Sequence, residues 1–185
     1  MEKVKRGDRA AYQRLYEKYR RPIMSFLNTM IKDRAVVDEL FQETFLKLYR
    51  ARDAYEKRAK FTTFLWTIAR NTALDWSEKK KESLIDSGPD AEGEVGLDAV
   101  AQLESEAPDA ERALIDHLDA AAIADCVSRL SEQERVLCGL RMNAELPYEE
   151  IAVQTGVPVG TVKTRLHRIR EKLVRCMRAK EGGRE

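Results

Sequence analysis

Near the middle of the chain, Ser87-Gly88-Pro89-Asp90-Ala91-Glu92-Gly93-Glu94 is poor in large apolar residues and interrupted by glycine and proline. Such a stretch buries too little apolar surface to join a core, and its breakers stop a helix from crossing it. The spacing predicts a flexible acidic linker from Glu82 to Arg112, so the fold must be built from two separate blocks, residues 1–81 and 113–180. Each block is large enough to enclose a small core of its own.

Charge divides at the same places. Residues 1–81 hold 20 basic and 11 acidic side chains, net +9; residues 82–125 hold 1 and 13, net −12; residues 126–185 hold 12 and 8, net +4. The formal charge of +1 for the whole chain conceals two cationic blocks around an anionic segment. That arrangement fits two polyanion-binding units joined by a segment that nucleic acid repels. With 43% hydrophobic and 35% charged residues, the chain is too apolar to be wholly disordered and too charged to lie in a membrane. No run approaches the roughly 20 apolar residues of a membrane span, and Met1 to Asp8 lacks the apolar core of a secretory signal, so a cytoplasmic location is expected. Cys126, Cys138 and Cys176 are an odd number at spacings unlike a CxxC pair, with only His117 and His167 to complete a metal site. They read as buried thiols, with no metal or cofactor expected.

Both blocks read as helical. In the first, Tyr12, Leu15, Tyr16 and Tyr19, then Ile23, Phe26, Leu27, Met30 and Ile31, then Val37, Leu40, Phe41, Phe45 and Leu48 recur at helical spacing. Pro22 marks a restart or kink, and Asp33 a break before the next helix. A further helix is expected from Phe61 to about Lys81. In the second block, a helix is expected from Ala113 to Leu130, and Ser131 with Glu134 forms a capping box for another over Glu132 to Met142. No strand alternation or internal repeat is present, so the fold class is all-α.

Three segments carry functional chemistry. Pro147 to Leu166 reads as helix, tight turn, helix: Pro147 suits the start, Gly156 supplies a positive φ, and Pro158 restarts the chain. In the second helix Val162, Leu166, Ile169 and Leu173 form a buried stripe, while Gly160, Lys163, Thr164 and His167 lie opposite, flanked by Arg165, Arg168 and Lys172. A helix of this kind fits the major groove, its cations reaching guanine edges or phosphates and Thr164 a base or a thymine methyl. In Val37 to Tyr49, Asp38, Glu39, Gln42 and Glu43 stay outside the apolar stripe, leaving an acidic face for either a basic protein partner or plain solvent. In Lys60 to Lys81, Phe61, Leu65 and Ile68 turn inward, while Trp66, Arg70, Asn71 and Lys79 to Lys81 are expected on a nucleic-acid surface, aromatic faces stacking on bases and cations following the backbone. A plain amphipathic helix gives the same spacing. No activated nucleophile or convergent carboxylate cluster is visible, so no catalytic residue is assigned and a DNA-processing enzyme is not expected.

Together these segments resemble the extracytoplasmic-function group of bacterial RNA polymerase sigma factors, in the sigma-70 family. The likeness rests on Gly7-Asp8 through Tyr19, Asp38 to Phe45, Phe61 to Asp75 with Ile68-Ala69 and Asn71, and Leu130 through Leu173, in that order. It implies that Asp38, Glu39, Gln42 and Glu43 dock on the clamp helices of the largest polymerase subunit. It implies that Trp66, Arg70, Asn71, Asp75 and Lys79, Lys80 and Lys81 read and open a minus-ten element. It implies too that Gly160, Thr161, Lys163, Thr164, Arg165, His167 and Arg168 read a minus-thirty-five element, near the flap of the second-largest subunit, and that an anti-sigma factor is a partner. The chain departs from the family's common pattern at Phe64 for Trp, Ser131 for Pro, Ile169 for Ala, and at Lys79 to Lys81, where arginines are frequent. The rival expectation is a helix-turn-helix regulator that binds DNA without polymerase.

Overall fold

The computed structural model describes residues 1–56, 60–86 and 120–181, and every regular element among them is helical. The first unit comprises α1 (Glu2–Lys5), α2 (Arg9–Met30), α3 (Arg34–Arg50), a 3-10 turn (Ala51–Ala54) and α4 (Phe61–Asp86). The second comprises a helix over residues 120–128 (α5), α6 (Glu132–Met142), α7 (Tyr148–Thr155) and α8 (Val159–Glu181). The expected linker beyond Asp86, and residues 113–119 of the expected Ala113 to Leu130 helix, lie outside the described residues.

Local sequence sets the helix starts. Asp8 accepts a hydrogen bond from the Ala11 N–H at 2.9 Å, and Asp33 accepts from Ala35 and Val36. Ser131 and Glu134 complete the predicted capping box. Each such cap satisfies N–H groups that the first helical turn leaves unpaired. Two boundaries differ from expectation. The α2 helix runs through Pro22 without ending, because Ile23, Phe26 and Leu27 on its far side are fully buried and hold that segment in register. The α4 helix continues five residues past Lys81, since no glycine or proline occurs before Gly88.

In the first unit α3 packs against both α2 and α4 around Val37, Leu40, Phe41, Phe45 and Leu48. Tyr12 and Tyr16 close the rim with edge-on contacts to Phe45, and the Tyr12 hydroxyl donates to the Phe45 carbonyl at 2.9 Å. In the second unit Leu140, Ile151, Val162 and Ile169 join α6, α7 and α8.

The two units do not remain apart: α2 lies against α6, and their buried residues form one continuous cluster. A Cβ placed on Gly139 in α6 would sit 2.5 Å from Cδ2 of Phe26 and 3.1 Å from the Thr29 hydroxyl. Only glycine allows that approach. Beside it, Ser25 donates to the Asn143 side chain at 2.9 Å. A Gly139→Ala substitution is therefore expected to force the units apart at a cost of about 1–3 kcal/mol, more than the ~1 kcal/mol that alanine gains within a helix. Gly160→Ala, with open space around its Cβ, should be neutral or stabilising. Thermal unfolding and small-angle scattering of both variants check this, with an increased radius of gyration expected for Gly139→Ala alone.

Candidate nucleic-acid interface

The helix-turn-helix forms as its sequence implies. Pro147 is the residue before α7, Gly156 ends it at φ 68°, and α8 begins at Val159. Glycine fits that left-handed angle without strain. Val162 and Ile169 are buried and Leu166 and Leu173 half-buried, which leaves Gly160, Thr161, Lys163, Thr164, Arg165, His167 and Arg168 all exposed on one side. Lys163 lies over the Tyr148 ring at 5.6 Å, and His167 Nε2 is 3.5 Å from Glu171. The Thr164 hydroxyl donates to the Gly160 carbonyl at 3.0 Å, so contact with a base requires it to exchange a local partner. Arg165 and Arg168 extend the cationic surface along a groove shared with Gln133 and Glu134 of α6.

On α3, Glu39 and Gln42 are exposed and Asp38 and Glu43 half-buried. Glu43 pairs with Lys47 at 3.1 Å, and Lys47 also reaches Asp75 of α4 at 3.1 Å. Burial alone would lower the Lys47 ammonium, but the hydrogen bonds to Glu43 and Asp75 outweigh it and hold it above its ordinary value. Leu46, 53% exposed, continues the line of Asp38 and Gln42 one turn further, with Tyr49 after it. The acidic face therefore has an apolar end, which the charge pattern alone did not show; the signal was the helical step from residue 42 to 46.

The α4 face departs most from expectation. Trp66 is not on the surface: it is 1% exposed, with its ring edge-on to Phe26 at 5.5 Å. It shares a helical stripe with Leu65, Ala69 and Ala73, all buried, and fills the space beside Phe26, so it belongs to the core. The aromatic on the outer side is Trp76, half-buried beneath Lys80 at 5.0 Å. Asn71, Asp75 and Lys79 to Lys81 are exposed as expected.

Arg70 is half-buried beneath the second unit. Its Nη1 donates to the Gln154 carbonyl in α7 at 2.9 Å, and burial pushes the guanidinium below its usual range. Around it α7 clasps α4: Glu150 accepts from Thr63 at 2.7 Å and from Lys60 at 2.6 Å, and the Gln154 amide donates to the Thr63 carbonyl at 3.3 Å. Farther along, Lys81 pairs with Glu132 of α6 at 2.5 Å. Sequence spacing gave no sign that Glu150 and Gln154 meet the first unit.

Two regions of the chain match known families. Residues 15–82 match Sigma-70 region 2 and residues 120–173 match Sigma-70 region 4. The chain belongs to the sigma-70 family of RNA polymerase sigma factors. It is 32% identical over 180 residues to the RNA polymerase sigma-H factor of Pseudomonas aeruginosa, covering 96% of this chain and 91% of that one. It is 31% identical over 180 residues to the extracytoplasmic-function sigma factor SigW of Bacillus subtilis, covering 96% and 95%. These relatives place it in the extracytoplasmic-function group. The fold is also that of the sigma factor RpoE solved with the anti-sigma factor NepR from Bartonella quintana, with a TM-score of 0.70 at 21% identity over 90% of this chain and 98% of that one. CnrH, solved with the cytosolic domain of CnrY, has a TM-score of 0.66 at 18% identity, covering 96% and 94%. In this sigma factor α2 to α4 thus constitute region 2, α5 to α8 region 4, and the clasp between α4 and α7 joins the two.

Acidity tests the clasp. Burial would raise the Glu150 carboxyl, yet its bonds to Lys60 and Thr63 prevail and hold it below its ordinary value. A depressed carboxyl stabilises the folded state above its unfolded value and loses that contribution as pH falls through the folded value. Glu150→Gln should therefore cost about 0.5–1 kcal/mol at neutral pH, limited by the exposed Lys60. The difference between wild type and variant should shrink as pH falls below the ordinary glutamate range and vanish once the folded-state carboxyl is protonated, read by urea titrations run across the acid range.

Proposed function

We propose that the chain is an initiation factor that binds core RNA polymerase and directs it to promoters with two spaced elements. The observation that carries this reading is the presence of both sigma regions, in order, in one chain whose region 4 helix exposes Gly160, Thr161, Lys163, Thr164, Arg165, His167 and Arg168. A stand-alone regulator has no use for region 2, and the family membership sets that reading aside. Residues 1–81 serve as the core-binding and minus-ten domain, 82–112 as the acidic linker and 113–180 as the minus-thirty-five domain, all within the cytoplasm. Among the described residues no helix is long and apolar enough to cross a membrane. The role is binding and capture rather than catalysis.

Core polymerase docks on Asp38, Glu39, Gln42 and Glu43, with Leu46 supplying an apolar contact at the end of that face. Its clamp helices take the region 2 face and its flap takes region 4. Both contacts pull on units that the free protein holds together. Arg70 cannot reach DNA while Gln154 holds it, so the minus-ten surface, whose Asn71, Asp75 and Lys79 to Lys81 are already exposed, is completed by Arg70 only when α7 leaves α4. The contact is suited to release: Arg70 Nε and Gln154 Oε1 are buried without a hydrogen-bond partner among the described residues, which offsets part of what the clasp gains. Opening then follows from capture of an unpaired base, whose binding offsets the few kcal/mol of unstacking. Upstream, Lys163, Thr164, Arg165, His167 and Arg168 read the duplex, with Gly160 and Thr161 admitting the backbone closely. An anti-sigma factor, as in the Bartonella quintana complex, fits as the partner that keeps region 2 and region 4 from polymerase.

In vitro transcription on a promoter library, with and without core polymerase, tests the proposal. Initiation should require core and start from sites sharing two spaced elements; tight core-independent binding to a palindrome with no initiation would overturn it. Arg168→Ala should reduce initiation from an element-dependent promoter about 5- to 100-fold, the cost of one lost base contact of about 1–3 kcal/mol. Arg70→Ala should impair opening, read by permanganate reactivity, more than it impairs closed-complex binding.

A further inference from the structure

Cys126 and Cys176 are not the buried thiols their spacing suggests. They are joined in a disulfide with a Cα separation of 5.9 Å, linking α5 to the last turns of α8 across 50 residues of sequence. Cys138 alone remains a free, buried thiol, and burial pushes it up. The two cysteines line a cleft of about 550 Å³ together with Arg129, Lys172 and Lys180. Both cysteines line the cleft, and Cys176 is the more exposed of the two, so an attacking thiol approaches from the Cys176 side. The three cations are held in place by ion pairs: Asp125 with Arg129 and Lys180, each at 2.8 Å, and Lys172 with Glu134 at 2.6 Å. Cations outnumber carboxylates there by three to two, an environment that attracts anionic thiols and favours the thiolate form of a cysteine.

We propose that Cys126 and Cys176 form a reversible dithiol–disulfide site that exchanges with anionic low-molecular-weight thiols entering this cleft. This rests on the function proposed above: a protein working on polymerase shares the reducing compartment, where a disulfide is a changeable state rather than a permanent brace. In reduction, a thiolate RS⁻ attacks the Cys176 sulfur and expels the Cys126 thiolate, leaving a mixed disulfide on Cys176. A second RS⁻ attacks the R sulfur of that bond and expels the Cys176 thiolate as RSSR forms. Two protons complete both cysteines, so two RSH are oxidised as one protein disulfide is reduced. Oxidation by RSSR is the reverse. The oxidised state pins α5, where region 4 begins, to the end of the same helix that carries the DNA-facing residues.

The test uses the full chain, equilibrated in reduced and oxidised glutathione at graded ratios, trapped by alkylation and weighed intact. Two alkylatable cysteines should appear together along a single two-electron transition as the ratio becomes reducing, with Cys138 modified only after unfolding. Reduction should lower the melting temperature by about 10 °C, as loss of a long-loop crosslink does. Cys176→Ser should melt at the reduced value whatever the poise, as should Cys126→Ala. Arg129→Ala should slow reduction by glutathione severalfold while leaving reduction by cationic cysteamine unslowed. A disulfide that resists excess glutathione until the protein unfolds, or cysteines that stay alkylatable in excess oxidised glutathione, overturns the proposal. Failure to initiate transcription would count against the sigma function and leave the exchange result standing.

Discussion

Phe26 connects the two halves of the molecule. Its fully buried ring meets Trp66 within region 2 and faces Gly139 of region 4, where no side chain could stand. A large aromatic against a bare backbone position is a steric fit, and steric fits are lost abruptly rather than gradually. The remaining contacts between the regions depend on that fit, because it brings α6 to α2 and so places α7 against α4.

Around this apolar contact the interface becomes polar. Lys60, Thr63 and Arg70 meet Glu150 and Gln154, and Lys81 meets Glu132. Ion pairs with one exposed partner contribute little, and the buried atoms left without partners take some of that back. An interface of this character keeps the units together in the free protein without making their separation difficult. Two of the groups it occupies, Arg70 and Lys81, are also expected to meet the promoter, so closure and promoter contact compete for them. The acidic face of α3 lies outside this competition and stays available throughout. On the function proposed above, that division gives polymerase a place to bind before the clasp opens.

The cysteines show how sequence distance misleads. Fifty residues separate Cys126 from Cys176, and neither has a neighbour that suggests a pair. They meet because α8 is long enough to return past α6 and reach the helix at the other end of region 4. Trp66 carries the same lesson in reverse. Its neighbours Arg70 and Asn71 suggested a nucleic-acid surface, but its phase on α4 follows Ala69 and Ala73 into the core. Two tryptophans, Trp66 and Trp76, lie within one helix, and the position of α2 decides which is enclosed.

Local chemistry determined what local chemistry can. The capping box at Ser131, the break at Asp33, the turn at Gly156 and the stripe of Val162 and Ile169 were legible because each depends on residues within one or two helical turns. So were the all-helical class and the exposed faces of α3 and α8, since helical period alone separates inside from outside. The tertiary structure decided what lies between elements: the seating of Phe26 on Gly139, the burial of Trp66, the capture of Arg70 by Gln154 and the joining of Cys126 to Cys176. Each brings together residues with no fixed sequence separation. Their meeting depends on how whole helices cross, and periodicity within one helix carries no information about that.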